Sequence, residues 1–295
     1  MNASLDIEKH EDLADYLRAS GRLAAHEPLV ARTLTGGVSN KTVWVQLPDG
    51  REWVIKQALA KLRVQADWFS DPARVQREAL ALRWLAALLP AQSTVAFVFE
   101  DEVARLFAMT AVPAPYENWK AMLLAEGPQL RHVEAFGRLL ATLHTTSAAR
   151  SDELGPLFGD TRFFDTLRLE PYYVSTLEAV PTAADFLREL VLEVRRERHT
   201  LVHGDYSPKN VLVHADRLVL IDHEVVHWGD PAFDLGFALT HLLSKAHHRP
   251  DRRAAFAAAA NDFWRTYSRT AGVALDLLEH RAVKHALACM LARVA

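Results

Sequence analysis

The chain has 295 residues, of which half are apolar and 24% are charged, and it contains 12 Gly and 13 Pro. This composition is that of an ordinary globular protein, and it excludes a disordered or collagen-like chain. The formal net charge is −3, so the chain as a whole has no electrostatic bias toward nucleic acid or anionic lipid, and we expect neither as a partner.

The sequence also bears on the compartment. Its single cysteine, Cys289, cannot form an intrachain disulfide or build a thiolate metal site by itself. Residues 1–12 are acidic and contain no apolar run behind a basic stretch, so we expect no secretory signal. The uncharged stretch over 84–99 is shorter than the roughly 18 residues that a spanning helix needs. We therefore expect a cytoplasmic protein without a membrane segment.

The first third of the chain predicts one short helix near Leu13, followed by strands that are separated by turns rich in glycine and proline. The predicted strands cover residues 29–34, 42–47, 52–56, 95–99 and 104–109. Alternation within the third strand places Lys56 and Val54 on one face of the sheet. We therefore expect the Lys56 side chain to emerge from a sheet face.

Between these strands, Asp71 and Pro72 predict the start of a helix that ends before Pro90, because Asp is a favoured N-cap and Pro fits the first helical position. Glu78 lies in the middle of the apolar stripe of that helix. A carboxylate in such a stripe needs a partner, since an unpaired buried charge is costly. We predict that Glu78 pairs with Lys56, although each alone is more typical of a solvated surface.

From residue 110 onward the sequence predicts mainly helices, with apolar side chains at helical spacing over 130–143. One cluster of short strands over 201–221 interrupts them, and helices resume near Asp234. Segregation of strands and helices favours an α+β fold with two lobes over an alternating sheet. We predict a β-rich N-terminal lobe over 1–109 and a mainly helical C-terminal lobe over 110–295.

The end of the sequence carries an apolar helical pattern that runs to Ala295 without a Gly C-cap, a Pro or a polar tail. We predict that the natural chain either continues beyond Ala295 or frays in its last turn. A stop codon immediately after position 295 of the parent reading frame would exclude the longer chain.

The segment His-Gly-Asp-Tyr-Ser-Pro-Lys-Asn over 203–210 carries the clearest chemistry. A loop Asp, an amide side chain five residues later and a strand-end acid are what ATP-dependent phosphoryl transfer requires. Asp205 can orient and deprotonate a hydroxyl, while Asn210 and Asp222 can hold Mg²⁺. A polar turn with a chance Asp is the alternative for His-Gly-Asp alone, but Asn210, Asp222 and Glu224 in register disfavour it.

With these motifs the chain resembles the aminoglycoside phosphotransferase and choline kinase-like superfamily over nearly its whole length. The resemblance implies a bilobal protein-kinase-like fold and a small-molecule kinase that uses ATP and Mg²⁺. It also implies that Asp205 is the catalytic base, that Asn210 and Asp222 bind magnesium, and that Glu224 is a further contact to metal or substrate.

Three other residues acquire catalytic roles in this interpretation. The continuation over 229–236 resembles the family's segment after the metal-binding acid, and by that resemblance Asp234 braces the catalytic loop. An ordinary helix N-cap is the alternative for Asp234. Lys56 would neutralise the ATP phosphates, with Glu78 as its partner on the helix.

The turn over 35–42 does not fit a Walker phosphate loop, because Thr35 and Asn40 occupy positions that need glycine. It resembles the superfamily's own Gly-Gly-x-Ser-Asn loop, whose backbone N–H groups can bind phosphate oxygens. A tight hairpin without a ligand is the alternative. The residues expected to contact the nucleotide phosphates are Gly36, Gly37, Ser39 and Asn40.

The same resemblance assigns residues to two further parts of the site, namely the connector between the lobes and the acceptor cleft. The residues expected to contact adenine through backbone amides are Met109, Thr110, Ala111 and Val112, unless they form a plain linker. The helices after Asp234 also lie where the family builds its acceptor cleft, as do Asn118, Trp119, Lys120, Arg168, Pro171, Tyr172 and Tyr173. An aromatic pair such as Tyr172 and Tyr173 more often packs in a core.

The charge of the C-terminal segment bears on the acceptor, and the spacing of three histidines bears on a metal site. Residues 249–295 contain eight Lys or Arg against four Asp or Glu, a local net charge of +4. This charge disfavours a cationic aminoglycoside, and the alternative is that it lies on solvated helix faces that never meet the acceptor. We interpret His241, His247 and His248 as surface residues, because no carboxylate or cysteine lies at metal-ligand spacing from them.

The sequence therefore predicts an ATP- and Mg²⁺-dependent kinase that phosphorylates a hydroxyl of a small molecule, such as a sugar or an amino alcohol. Lys56-Gln57-Ala58-Leu59, together with Arg63 and Trp68, is similar to the methylthioribose kinase branch. A sugar kinase of that type, an antibiotic phosphotransferase and a catalytically silent nucleotide-binding protein remain alternatives. A protein kinase is disfavoured, because no Asp-Phe-Gly or Ala-Pro-Glu segment follows Asp222. The sequence predicts neither the acceptor nor whether the protein is a monomer or a homodimer.

Overall fold

The structure is a computed structural model that describes residues 5–65, 67–272 and 276–295. The first four residues of the acidic N-terminal segment lie outside these ranges. The described chain divides into two compact units. The first unit comprises the described residues up to Arg83 together with Val95–Ala111, and the second comprises Trp84–Thr94 and Val112–Ala295. No helix within the described ranges has the length and apolar character needed to cross a membrane.

The first unit is built on a five-stranded antiparallel sheet in the order β1-β2-β3-β5-β4. The strands are β1 (Val30–Thr33), β2 (Asn40–Gln46), β3 (Glu52–Ala58), β4 (Phe97–Asp101) and β5 (Leu106–Thr110). The predicted strands 29–34 and 42–47 form the hairpin β1–β2, and the predicted strands 95–99 and 104–109 form the hairpin β4–β5. Helix α1 (His10–Ala19) buries Leu13 and Leu17 in one apolar cluster with Val43 and Ile55 of the sheet.

Helix α2 (Arg74–Leu88) follows β3 and starts two residues later than predicted. Asp71 forms a turn just before the helix. Its Oδ1 accepts a hydrogen bond from the Ala73 N–H at 2.9 Å. Its carbonyl accepts a second from the Arg74 N–H at 3.1 Å. The side chain of Asp71 therefore holds a turn ahead of the helix.

The second unit is mainly helical, as predicted. Its α-helices are α3 (Trp119–Ala125), α4 (Leu130–Ala148), α5 (Ser151–Phe158), α6 (Arg162–Phe164), α7 (Ser175–Ala179), α8 (Ala184–Arg196), α9 (Pro231–His248), α10 (Arg253–Ala271) and α11 (Asp276–Val294). A π-helical segment, Asp165–Val174, connects α6 to α7. Its apolar side chains join Phe233 and Phe237 of α9 in a core cluster.

The short strands of the second unit form two sheets rather than the single cluster that the sequence predicted. They are β6 (Glu117–Asn118), β7 (Thr200–Val202), β8 (Val211–His214), β9 (Arg217–Leu220) and β10 (His227–Gly229). β8 pairs with β6 and β9, whereas β7 pairs with β10. Gly204 has a φ of +77° just after β7, so the backbone turns there and β8 does not extend the same sheet. Residues 203–210 form the loop between β7 and β8.

Candidate active site

Lys56 and Glu78 form a buried ion pair in the first unit. The Lys56 Nζ on β3 donates to Glu78 Oε1 at 2.7 Å and to Oε2 at 3.0 Å. Lys56 is 7% exposed and Glu78 is fully buried on α2. A buried charge is tolerated when it is paired in this way. The predicted contact is present, while its role in binding phosphates stays a prediction.

The glycine-containing turn between β1 and β2 is held by the segment that follows β3. Gly36 has a φ of +107°, a conformation that favours glycine. The Val38 carbonyl accepts from the Arg63 N–H at 2.9 Å, and the Ser39 carbonyl accepts from the Leu59 N–H at 3.0 Å. Asn40 Nδ2 donates to Ser39 Oγ at 3.1 Å. These bonds fix the end of the turn that was predicted to contact phosphates.

Arg74 supports the same turn, and the sequence did not identify it. This fully buried guanidinium donates to the Ser39 carbonyl, to the Leu59 carbonyl at 2.7 Å and to the Ser70 carbonyl at 3.1 Å. It therefore connects the turn to the start of α2. Its spacing could have identified it in the sequence. Arg74 lies four residues before Glu78 and therefore shares the buried face of the same helix.

The connector predicted to contact adenine belongs partly to the sheet. Met109 and Thr110 are the last residues of β5. The Thr110 N–H donates to the Ala96 carbonyl at 2.8 Å, and the Ala111 N–H donates to the Glu52 carbonyl at 3.0 Å. These two amides are therefore already used, which corrects the expectation that they contact the base. Val112 forms no backbone hydrogen bond through its N–H within the described ranges, so this amide stays a predicted contact to the base.

Asp234 holds the start of the 203–210 loop. Its Oδ2 accepts from the His203 N–H at 2.6 Å, and its Oδ1 accepts from the Gly204 N–H at 2.9 Å. The N-cap of α9 is instead Asp230, which accepts from the Ala232 N–H at 3.0 Å. The structure thus resolves the alternative for Asp234 in favour of a loop contact.

The charge of Asp234 is stabilised inside the protein. Burial alone raises the pKa of this carboxyl, but the hydrogen bond from His144, 3.3 Å from Oδ2, and the bond from the His203 N–H lower it on balance. Gly204 leaves no room for a side chain, because a Cβ there would lie 2.9 Å from Val225 Cγ2. The loop is therefore fixed at its first two residues.

Asp205, the predicted catalytic base, is 1% exposed and lies between two cations. Its Oδ2 is 2.6 Å from Arg168 Nη2 and 2.9 Å from Lys209 Nζ. Its Oδ1 is buried and has no hydrogen-bond partner in the part of the chain that the structure describes. Arg168 also donates through Nε to the Gly204 carbonyl at 2.9 Å. Although burial lowers the pKa of Arg168, the Asp205 carboxylate raises it on balance.

The predicted metal ligands are oxygen donors near the end of β9 and in the 203–210 loop. Asn210 donates through Nδ2 to the Asp205 carbonyl at 3.0 Å, which orients its amide and leaves Oδ1 for a ligand. Asp222 has a φ of +69°, and one of its carboxylate oxygens lies within 4.8 Å of an oxygen of Glu224. These donors fit a hard divalent cation such as Mg²⁺.

Two buried histidines support the loop, although the sequence assigned them no role. Burial lowers the pKa of His203, so the ring is neutral near pH 7. Its Nδ1 accepts from the Asp205 N–H at 3.2 Å, so Nε2 carries the proton and donates to His223 Nδ1 at 3.1 Å. His223 Nε2 then donates to Thr94 Oγ1 at 3.2 Å. This chain of bonds fixes the backbone at Asp205.

The residues expected in the acceptor cleft divide into two groups. Tyr173 is fully buried and its hydroxyl lies 2.6 Å from His285 Nδ1, so it belongs to the core. Trp119 is also buried. Tyr172 is only partly buried and remains a candidate ligand contact. Lys120 is exposed on the first turn of α3.

The surface interpretation of the three histidines is right for two of them. His247 and His248 are exposed at the end of α9. His241 is partly buried, and Arg293 Nη2 lies 2.9 Å from its Nε2. The interpretation is wrong for His241 because α11 packs beside this face of α9.

Comparison with known proteins gives both sequence and structural relatives. The chain is 27% identical over 263 residues to methylthioribose kinase 2 of Oryza sativa subsp. japonica, an alignment that covers 78% of this chain and 61% of that protein. It thus spans less than two thirds of the length of this relative.

Two solved structures are similar at lower sequence identity. Macrolide 2′-phosphotransferase MphH from Brachybacterium faecium has a TM-score of 0.56 and 20% identity, with 93% of this chain and 88% of that chain covered. An amicoumacin kinase in complex with AMP-PNP and Ca²⁺ has a TM-score of 0.56 and 14% identity, with 88% and 80% covered. These likenesses confirm the predicted protein-kinase-like fold class. A model of the phosphotransferase enzyme family matches residues 30–273, more than half of the chain, and the chain therefore belongs to that family.

Proposed function

We propose that this protein is a cytoplasmic kinase that uses ATP and Mg²⁺ to phosphorylate a hydroxyl of a small molecule. The observation that carries the proposal is Asp205, whose buried Oδ1 has no hydrogen-bond partner in the described ranges. A buried acceptor without a donor is costly, and a substrate hydroxyl would supply that donor. The amicoumacin kinase structure, which contains AMP-PNP and Ca²⁺, supports ATP and a divalent cation as cofactors.

The first unit would bind the phosphates of the nucleotide. Lys56, kept in position by Glu78, would neutralise phosphate oxygens, as the strand lysine does in kinases. Backbone N–H groups of the turn from Gly36 to Asn40 would contact the phosphates. The Val112 N–H, which belongs to the second unit, would donate to the base. Gly37 and Ser39 contribute their backbone to that turn.

The second unit would hold the metal and the acceptor. Asn210 and Asp222 would bind Mg²⁺, with Glu224 as a further oxygen donor. When bound, the metal supplies positive charge to the transferring phosphoryl group. These side chains belong to the segments on either side of β8 and β9, whose pairing fixes their spacing.

In the transfer step, the bond from the γ-phosphorus of ATP to its bridging oxygen breaks and a bond from that phosphorus to the acceptor oxygen forms. ADP leaves, and the hydroxyl proton passes to Asp205 Oδ1. Arg168 and Lys209 lie on the opposite oxygen, Oδ2, so they hold the carboxylate while Oδ1 faces the hydroxyl. Asp234 fixes the loop backbone beneath it.

The cytoplasm is the compartment that fits this activity, because it supplies ATP and keeps a lone thiol such as the buried Cys289 reduced. Fractionation of the producing cells, with ATP-dependent activity followed in each fraction, tests this part of the proposal. Activity confined to a fraction outside the cytoplasm would contradict it.

The test of the activity is Asp205→Asn against Asp216→Asn. ADP release is measured with a panel of sugars, including methylthioribose because of the rice relative, and with nucleosides, amino alcohols and antibiotics. Asp205→Asn should lower kcat by about 10²–10⁴-fold and leave the KM for ATP nearly unchanged, since it removes only the group that acts on the hydroxyl. Asp216 is exposed on the β8–β9 turn, so Asp216→Asn should behave as wild type. Near-wild-type turnover of Asp205→Asn would remove this residue from the mechanism.

A further inference from the structure

A group of basic side chains, four of them lysine or arginine, lies next to the 203–210 loop in the second unit. We call this group the cationic cluster. It consists of Lys120 on α3, Lys209 in the loop, His241 and Lys245 on α9, and Arg293 on α11. Lys245 is the unusual member, because it is only 6% exposed. Its Nζ donates to the His241 carbonyl at 3.0 Å, while Arg293 Nη2 lies 2.9 Å from the His241 ring.

The positive charges of the cluster act on one another. Burial lowers the pKa of His241 well below its usual value, and the charges of Arg293, Lys245, Lys209 and Lys120 lower it further. Burial, followed by Lys120 and Arg293, lowers the pKa of Lys245 to about 8. Hydrogen bonds join the elements that carry these side chains: Asn118 Nδ2 at the start of α3 donates to the Lys209 carbonyl at 2.7 Å, and Arg249 at the end of α9 donates to the Leu124 carbonyl of α3. The cluster therefore occupies one region of the second unit.

Carboxylates do not compensate this charge. Among the described residues, Asp205 is the one acid that forms an ion pair with the cluster, and it does so through Lys209. Lys120, Lys245 and Arg293 form no ion pair with an acid of the described chain. A buried ammonium without a counter-charge is destabilising, and proteins retain such groups where a ligand brings the opposite charge.

We propose that the cationic cluster binds an anionic group of the acceptor, a carboxylate or a phosphate, while the acceptor hydroxyl contacts Asp205. This inference rests on the proposed kinase function and names the acceptor class. Lys209 connects the two parts, because its ammonium is 2.9 Å from Asp205 Oδ2 and its carbonyl accepts from Asn118 at the start of α3. A cationic acceptor would be repelled by the same residues, so the arrangement selects against aminoglycosides and amino alcohols.

Matched acceptor pairs test the proposal, because their members differ mainly in charge. The pairs are glycerol with D-glycerate, sorbitol with D-gluconate, and glucose with glucose 6-phosphate, and choline serves as the cation. ADP release should give a kcat/KM at least tenfold higher for the anionic member of a pair that is turned over. Comparison of the carboxylates, D-glycerate and D-gluconate, with the phosphate, glucose 6-phosphate, shows which anion the cluster prefers. Higher kcat/KM for the neutral or cationic acceptors would overturn the proposal.

Lys245→Met and Arg293→Gln locate the anion site. Each should raise the KM for the anionic acceptor about 10–100-fold and leave the KM for ATP unchanged. Lys284→Met is the matched control, since it also removes one lysine charge from the second unit but lies outside the cluster, paired with Glu193. Arg293 is exposed, so its substitution does not disturb the core. A change in the KM for ATP instead would mean that the cluster serves nucleotide phosphates, which overturns the proposal.

Direct binding separates this inference from the kinase activity. Calorimetry with D-glycerate, D-gluconate and glucose 6-phosphate is carried out on wild type, Lys245→Met and Lys284→Met. If no acceptor releases ADP, but wild type and Lys284→Met bind one of these anions and Lys245→Met does not, the anion site stands and the kinase function fails. If wild type binds none of the three, or Lys245→Met binds as tightly as wild type, the anion site is overturned whatever the turnover.

Discussion

Asp234→Asn tests how much of the loop geometry depends on one buried carboxylate. In the wild type, the two oxygens accept from two backbone N–H groups at 2.6 and 2.9 Å. An asparagine offers one oxygen and one NH₂ group, so one of these buried N–H donors would face another donor. A hydrogen bond to a charged group contributes about 1.5–3 kcal/mol, and an orphaned buried donor costs about 1–3 kcal/mol, two measures that partly overlap. We therefore expect the free energy of unfolding to fall by about 2–4 kcal/mol.

The same substitution should impair turnover. Because the loop positions Asp205, a displacement of about 1 Å is enough to lower kcat by about 10²-fold. Asp230→Asn is the control, since Asp230 is a buried acid at the start of the same helix. It caps α9 and pairs with Arg281 but does not contact the loop. Asn remains a good N-cap, so Asp230→Asn should leave kcat within about twofold even where loss of the pair with Arg281 lowers stability.

The pKa of Asp234 adds a pH signature. Its value in the folded protein lies below the value of about 3.9 in an unfolded chain. The group therefore contributes stability that is fully present above pH 4 to 5 and is lost as the pH falls through the folded pKa. Urea unfolding between pH 7 and pH 3 should show the wild-type advantage over Asp234→Asn shrinking at the acid end. An advantage that does not change with pH, or an unchanged kcat in Asp234→Asn, would refute the bracing role.

Three further predictions concern the ion pair, the loop glycine and the metal. Glu78→Ala leaves the Lys56 ammonium without its counter-charge and should lower the free energy of unfolding by about 3–5 kcal/mol and raise the KM for ATP; loss of stability with unchanged ATP kinetics would contradict the nucleotide role. Gly204→Ala places a Cβ 2.9 Å from a neighbouring side chain and should lower both the melting temperature and kcat. Gly21→Ala also has a positive φ but has nothing within 4 Å, so calorimetry should show backbone strain of about 1–2 kcal/mol and wild-type kcat; equal effects at both glycines would exclude a steric role. EDTA should abolish ADP release and MgCl₂ should restore it, and turnover that persists in EDTA contradicts the proposed metal site.

The contacts that the sequence predicted correctly are those in which one residue's burial demands a specific partner. Glu78 sits in an apolar helical stripe, so it needs a cation, and Lys56 is the cation that a neighbouring strand presents. The hairpins of the first unit follow from alternation and from turn residues. Both kinds of inference use local patterns that leave few alternatives.

Other features depend on contacts between segments far apart in sequence, which a local pattern does not contain. The adenine expectation placed Thr110 and Ala111 in a free connector, but pairing with Ala96 and Glu52 uses their amides. His241 is polar and near a helix end, so only the packing of α11 shows that it is partly buried. Arg74 donates to four carbonyl groups, and its contacts with the distant carbonyls of Ser39 and Leu59 are a tertiary property.

The surroundings of Asp205 indicate how it would act. Arg168 and Lys209 both lie on Oδ2, so two positive charges already balance the carboxylate and keep it in one orientation. Phosphoryl transfer through a loose transition state requires little proton removal before the phosphorus–oxygen bond forms, and its main demand is alignment of the hydroxyl. A carboxylate held by two cations, with Oδ1 directed to the acceptor, meets that demand. On the proposed function, the loop contacts of Asp234, His203 and Arg168 would contribute to the rate by fixing the direction of Oδ1.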